Sequence, residues 1–260
     1  MAAFLLRKPA TRAFAYAGYC AILCCMRDVV VIPTYNEREL IAGLLRKVFN
    51  TTPNVFVWVV DDTSPDGTAE EVRDLQKTFK NLSLHVRPKK TGLGSAYLEV
   101  FSLLLADPTV RTITTMDADW SHNPVYIPDL LQESWRHDVV VGSRYVSGGG
   151  VPRWEAWRRL LSWGGNAYAR LVTGVPVCDL TAGFVCFRRE VLERMDFSKI
   201  HSAGYAYTIE SKCLAYRSGA RIKEIPIVFE ERRGGESKIS KHVIREGVAA
   251  PWRIRFSRLS

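Results

Sequence analysis

The chain has 260 residues, 47% of them hydrophobic, enough to supply the core of one large α/β domain or two small ones, so the protein is globular. Its 36 Lys and Arg outnumber 27 Asp and Glu for a formal net charge of +9, which points to an anionic partner: nucleic acid, a phosphate-bearing substrate or an acidic membrane surface. The six cysteines (Cys20, Cys24, Cys25, Cys178, Cys186, Cys213) contain no Cys-x-x-Cys pair with a matching partner pair; neither a zinc ribbon nor a disulfide framework is indicated, and reduced thiols in a cytosolic setting are the default.

Residues 1–27 carry Arg7, Lys8, Arg12 and Arg27 and no acid, and residues 13–26 form an apolar block too short to span a bilayer comfortably. They read as a dispensable leader or an over-extended gene start ahead of Met26, outside the fold, rather than as a membrane anchor. From Asp28 two periods alternate. Residues 28–32 read as a strand and 37–49 as a helix with Asn36 as its N-cap; 55–60 is a second strand and 68–79 a second helix. Residues 82–86, 95–106 and 109–116 repeat the scheme. Nearly all-apolar strands separated by helices predict a mostly parallel sheet covered on both faces, a Rossmann-like α/β architecture through about residue 145. Past Ser147-Gly148-Gly149-Gly150 the texture changes. Residues 152–175 intersperse Trp154, Trp157 and Trp163 with Arg153, Arg158, Arg159 and Arg170, the pattern of a basic, Trp-bearing amphipathic helix that suits a membrane interface or covers the domain's own core. A strand over 181–187, a helix over 204–218 and a strand over 221–229 broken at Pro226 complete the series.

The most informative stretch is Val110–Ser121, where a β-branched run feeds Asp117 and Asp119. In open α/β sheets ligands bind beyond the carboxyl ends of strands. Two hard oxygen ligands there can hold Mg²⁺ or Mn²⁺ against a diphosphate, although Asp-x-Asp alone is also an ordinary turn. Its neighbours raise the functional reading. Pro33-Thr34-Tyr35-Asn36-Glu37 ends the first strand and Asp61-Asp62-Thr63-Ser64-Pro65-Asp66-Gly67 the second, so both clusters fall on the same edge, where carboxylates can meet a base or ribose and Tyr35 can pack on a ring. Lys89-Lys90-Thr91-Gly92-Leu93-Gly94 follows the third strand as a lid or phosphate neighbour, and Arg144 follows the fifth. Arg232, Arg233 and Lys238 add cations on a Gly-containing loop.

These segments together resemble the dolichol-phosphate (polyprenyl-phosphate) mannosyltransferases within the family 2 inverting glycosyltransferases. The resemblance covers about residues 28–240 through seven motifs in order: Pro-Thr-Tyr-Asn-Glu-Arg-Glu, Val-Asp-Asp-x-Ser-Pro-Asp-Gly-Thr, Gly-Leu-Gly-x-Ala-Tyr, Met-Asp-Ala-Asp-x-Ser-His, Gly-Ser-Arg-Tyr, Asp-Leu-Thr-Ala-Gly-Phe (179–184) and Gly-Glu-Ser-Lys. It implies a GT-A fold with a nucleotide half over 28–145, an acceptor half over 146–240 with a helical acceptor side, and a basic tail over 241–260. Carried over by position, the sugar nucleotide contacts Pro33, Tyr35, Glu37, Val60, Asp62, Asp117, Ala118, Asp119, Arg144, Arg232 and Lys238, and Mg²⁺ or Mn²⁺ rests mainly on Asp119 with help from Asp117. Some relatives have Gln at the position of Ser121, a poorer metal ligand.

The implied reaction takes mannose from GDP-mannose to dolichyl or polyprenyl phosphate with inversion, supplying lipid-linked mannose for glycosylation. The acceptor oxygen is already anionic, so no catalytic base is required. Arg158 or Arg159, with Ser162 nearby, is the candidate grip on the acceptor phosphate. The chain then docks on a membrane rather than crossing it, on the cytosolic face of the endoplasmic reticulum in a eukaryote or of the plasma membrane in a prokaryote, with a small membrane-anchoring subunit as a further partner. The rivals are a polyprenyl-phosphate glucosyltransferase or aminosugar transferase on the same scaffold, and a basic nucleic-acid-binding module. Acidic residues at the sheet edge repel a phosphate backbone and argue against nucleic acid.

Overall fold

The computed structural model describes residues 26–202, 204, 206–230 and 241–256. Strands β1 (Arg27–Thr34), β2 (Phe56–Asp61), β3 (Leu82–Val86), β4 (Val110–Thr115), β5 (Val139–Ser143), β6 (Val185–Arg188) and β7 (Ile222–Pro226) form one sheet in the order β3-β2-β1-β4-β6-β5-β7. Among the described residues eight helices accompany it: α1 (Arg38–Thr51), α2 (Thr68–Gln76), α3 (Leu93–Leu105), α4 (Ile127–Glu133), α5 (Ala156–Thr173), α6 (Arg189–Arg194), α7 (Tyr207–Arg217) and α8 (Lys241–Phe256). The all-apolar run of β1 shows why both faces are covered. Val30 and Ile32 enter a core with Leu44 and Val48 of α1, Val72 of α2 and Leu130 of α4, while Val29 and Val31 enter the opposite core with Val100 and Phe101 of α3, Val191 of α6 and Tyr207 of α7.

The expected mostly parallel α/β sheet is what forms. Only β6 runs against its neighbours β4 and β5; every other pairing is parallel. The carboxyl ends of β1, β2, β4 and β5 therefore share one edge, and the loop entering β6 arrives at that edge from the other direction. Several boundaries differ from expectation for identifiable reasons. The strand expected over 181–187 starts only at Val185, because the Thr181 amide donates to Asn166 Oδ1 at 3.0 Å and the Ala182 amide to the Asp179 carbonyl, closing a turn. Asn36 does not cap α1: it sits at φ 61 in the preceding turn, and Glu37 takes the N-cap position. Helices α4 and α6 span seven and six residues, too short to display a helical period.

The carboxyl-terminal segment is the largest departure. Where a basic tail was expected, residues 241–256 form α8, whose Ile254 packs with Ala169, Ile209 and Cys213 and whose Val248 carbonyl accepts a hydrogen bond from the Tyr168 hydroxyl at 2.9 Å. Of residues 1–27, expected as a leader outside the fold, residues 1–25 lie outside the described residues, whereas Arg27 opens β1 and pairs with Asp107. Among the described residues no helix is long and apolar enough to cross a membrane.

Gly94, in the first turn of α3, shows how closely the elements meet beside the edge. A Cβ there would lie 2.6 Å from the Ser202 carbonyl oxygen and 3.0 Å from Tyr207 Cβ. Overpacking of this kind costs about 1–3 kcal/mol. Gly94→Ala is therefore expected to lower the urea midpoint by an amount in that range; unchanged stability would contradict the packing of α3 on α7.

Candidate active site

Three loops at the shared edge carry backbone that ordinary residues rarely adopt. Among the described residues the non-glycine residues in the left-handed region are Asn36 (φ 61), Thr63 (φ 55) and Trp120 (φ 69), which follow β1, β2 and β4 in turn. Such conformations persist only where surroundings enforce them, and they gather at sites. The Trp120 ring is held over Gly43 of α1, where a Cβ would come within 3.3 Å of it.

The carboxylates after β2 divide between two kinds of work. Asp61, fully buried, accepts from the Thr34 hydroxyl (2.9 Å) and from the Ser64 amide (2.8 Å) and hydroxyl (2.6 Å). Asp66 accepts from Thr68 and from the Arg38 amide at 3.1 Å. Both build turns. Asp62 instead pairs with Arg87, whose Nη1 lies 2.5 Å from Oδ1; burial still outweighs the arginine and holds this carboxyl above its ordinary pKa. Arg87 is buried and also binds Glu99 Oε2 at 2.9 Å, Ser95 at 2.8 Å and Thr91, so one guanidinium ties β3, the Asp62 turn and α3 together. Tyr35 lies half exposed with the Lys90 ammonium 3.5 Å from its ring centroid. Pro33 and Val60 are paired across β1 and β2, and the Glu37 amide donates to the Thr68 hydroxyl at 3.0 Å. Val60 buries its side chain in the core, so only its backbone faces the edge chemistry.

Beyond β4, the side chain of Asp117 keeps 24% of its surface open, whereas Asp119 and Ala118 are buried and Asp119 Oδ1 accepts from the Ser121 amide at 3.0 Å. His122 joins this turn. Its Nδ1 accepts the Asp117 amide at 2.9 Å, so in the neutral ring the proton is on Nε2, which lies 3.8 Å from Asp117 Oδ2. The ring stacks on Phe184 with centroids 5.0 Å apart. Gly183 makes that stack possible, since a Cβ there would stand 3.1 Å from His122 Cε1. Two carboxylates, one of them open, with a buried Ser121 hydroxyl that has no hydrogen-bond partner among the described residues, fit a hard divalent ion. No group of three His, Cys, Asp or Glu able to hold a metal occurs among the described residues.

Arg144, after β5, is a buried cation. Its Nε and Nη2 lie 2.7 and 2.6 Å from the two oxygens of the fully buried Asp179, its amide donates to the same carboxylate at 3.0 Å, and Nη2 also reaches the Thr181 hydroxyl at 2.7 Å. Burial pushes the Asp179 carboxyl up, but the Arg144 charge and hydrogen bonds overcome it and leave the pKa below the ordinary value. Arg144 thus buttresses the loop at 179–183 and reaches the reaction space from a fixed position. Next to it, a cavity of about 520 Å³ runs from Asp117 and His122 past Arg144 and Arg158 to Leu160 and Leu161 on α5. Arg158 lies over the Trp154 ring at 4.2 Å, and its buried Nε has no hydrogen-bond partner among the described residues. Ser162 lines the cavity and accepts from the Tyr145 hydroxyl at 2.7 Å. Arg159 is exposed and does not line it. Arg232 and Lys238 lie outside the described residues.

Reading residues by motif overlooked Arg87 and His122 as contributors. Arg87 directly follows β3 and precedes the Lys89-Lys90 pair that drew attention instead, while His122 stood inside a quoted motif with no role attached.

Comparison with known proteins bears on the family and the fold. Residues 29–196 match the family described as "Glycosyl transferase family 2". The chain is 43% identical over 235 residues to a polyprenol monophosphomannose synthase of Mycolicibacterium smegmatis, covering 88% of each chain. It is 38% identical over 237 residues to an undecaprenyl-phosphate mannosyltransferase of Micrococcus luteus, covering 87% of this chain and 96% of that one. Its fold is similar to that of glucosyl-3-phosphoglycerate synthase from Mycobacterium tuberculosis in complex with Mn²⁺, UDP and glucosyl-3-phosphoglycerate (TM-score 0.62, 16% identity, 96% of this chain and 86% of that one). A mannosyltransferase from Pyrobaculum calidifontis in complex with GDP-Man and Mn²⁺ is also similar (TM-score 0.52, 21% identity, 84% and 59%). The chain belongs to glycosyltransferase family 2 and is a glycosyltransferase.

Removing Asp179 strands a buried arginine. Asp179→Asn is expected to cost about 3–5 kcal/mol at neutral pH. The folded carboxyl sits below its unfolded pKa, so the contribution is complete above pH about 4 and fades as pH falls further. Thermal melts of both proteins from pH 7 down to 3 should converge; a gap that stays constant contradicts the pairing.

Proposed function

We propose that this glycosyltransferase moves mannose from GDP-mannose to a polyprenyl phosphate, with inversion at the anomeric carbon. The observation that carries the reading is the continuity of the cavity: open carboxylate at one end, arginines in the middle, exposed apolar helix at the other. A nucleotide sugar and a lipid phosphate need those three surfaces in that order. The curated relatives named for polyprenol and undecaprenyl-phosphate substrates support the acceptor.

On the donor side, Asp62, positioned by Arg87, and Tyr35 receive the nucleoside, and Asp117 and Asp119 are the residues that hold Mg²⁺ or Mn²⁺. When bound, that ion neutralises charge on the departing diphosphate. On the acceptor side, Arg158, whose Nε lacks an acceptor, and Ser162 grip the phosphate, with Arg144 fixed behind them. The phosphate oxygen is anionic near neutral pH, so the protein needs no base; it aligns that oxygen behind the anomeric carbon. One displacement turns an α-linked donor into a β-linked product. Arg232 and Lys238 belong to the donor side on the motif evidence alone.

Helix α5 exposes Trp157, Leu160, Leu161, Trp163 and Leu171, of which Leu160 and Leu161 line the cavity, and α8 exposes Trp252 and Phe256. Large apolar side chains interleaved with Arg153, Arg159 and Arg170 suit the interface of an anionic bilayer and support peripheral attachment to a membrane surface.

Asp119→Ala is expected to abolish transfer with an unaltered far-UV spectrum, and chelation of divalent ions to do the same to the wild type; full activity in either case contradicts the site. Incubation with GDP-mannose, UDP-glucose and other sugar nucleotides, followed by lipid extraction, is expected to label lipid from GDP-mannose, and labelling from UDP-glucose instead would make the protein a glucosyltransferase. In flotation with anionic liposomes, the Trp157→Ser, Trp163→Ser double variant should recover less protein than wild type, and equal recovery sinks the α5 docking face.

A further inference from the structure

Lys212 is among the largest fully buried side chains of the protein, with no part exposed to solvent. A lysine pays heavily for such a place unless it pairs with an acid. Both nearby carboxylates are already committed. Asp179 takes three hydrogen bonds from Arg144 and one from Thr181, and Glu224 takes the amides of Cys178 (2.8 Å) and Asp179 (2.9 Å). The Lys212 ammonium instead donates to the backbone carbonyl of Ala182 at 2.6 Å. Ala182 sits between Thr181 and Gly183, all three in the cavity wall, and Gly183 is the residue whose lack of a side chain leaves room for His122. On α7, Lys212 falls one turn after Thr208, which lines the same cavity. The side chain therefore stands directly behind the wall that separates the core from the acceptor end.

We propose that Lys212 is a positioning residue for the acceptor half-site: it fixes the 179–183 loop through the Ala182 carbonyl and places a buried positive charge behind the anionic acceptor. This rests on the acceptor being a phosphate, as argued above. The groups facing Lys212 are Asp179 from the loop, Glu224 from β7, Arg144 from the end of β5 and Cys213 beside it on α7. Burial pulls its pKa down to about 7, against the favourable field of Asp179. Its charge is thus present below neutrality and lost above it in the free protein, while a docked phosphate anion favours the charged form. A buried charge acts over distance in a low dielectric, so it need not touch the acceptor to strengthen its binding.

The test measures kcat and the KM of each substrate for wild type, Lys212→Met and Lys212→Gln between pH 6 and 9, with folding checked by thermal melts. Met removes both the hydrogen bond and the charge; Gln can keep a donor for Ala182 but not the charge. Both variants are expected to raise the acceptor KM about ten-fold at pH 6 with little change in the donor KM; toward pH 9 the gap to wild type should close for Gln, while Met, which also lacks the hydrogen bond, keeps part of it. The acceptor's own ionisation is common to all three proteins and cancels in that ratio. A Gln variant that matches wild type at every pH, or donor and acceptor KM values rising together, overturns the proposal. Wild type that transfers no sugar to polyprenyl phosphate at all would instead overturn the functional reading on which it stands.

Discussion

The buried bond between Arg144 and Asp179 is the constraint from which the acceptor side of this protein takes its shape. Two desolvated charges stabilise a fold only when the geometry is good and the remaining valences are filled. Here the guanidinium is bidentate, and a backbone amide and Thr181 complete the arrangement. The bond joins the end of β5 to the loop that feeds the antiparallel β6. Because β6 separates β4 from β5, the ends of those two strands, which lead to Asp117 and Arg144, stand two strand spacings apart, about 10 Å. The loop held by Asp179, Gly183 and Lys212 closes the gap between those two strand ends.

That arrangement divides charge along one path. Asp117, with Asp119 buried beside it, stands at one end and suits a divalent counter-ion; Arg144 and Arg158 in the middle suit a phosphate; the far end is an apolar helix face. A substrate pair consisting of a nucleotide sugar and a lipid phosphate satisfies each in turn, whereas a nucleic-acid backbone meets repulsion at the first. In the proposed reaction the acceptor's own ionisation removes the need for a general base, which fits a site in which His122 has its Nδ1 occupied by the Asp117 amide.

Much of this was legible from the chain. The periods of β1 to β4 and α1 to α3 are strong because both faces of the sheet are buried and each helix has one apolar stripe. The position of Asp117 and Asp119 past a strand followed directly from those periods. What escaped depended on distant partners. Helix α8 carries its apolar positions among arginines, and only its packing on Ala169 and Ile209 reveals which face is buried. Arg87 looks like any basic residue in a turn until Asp62 and Glu99 are brought to it from 25 and 12 residues away. Lys212 gives no local signal at all, since nothing in α7 marks that turn as the inner one.

The most direct test of a single displacement by an ionised phosphate is the configuration of the product. NMR of the mannosyl phosphate lipid made by the wild-type protein from α-linked GDP-mannose should show a β-linked mannose. An α-linked product would mean two displacements or another mechanism, and would contradict the account of this site.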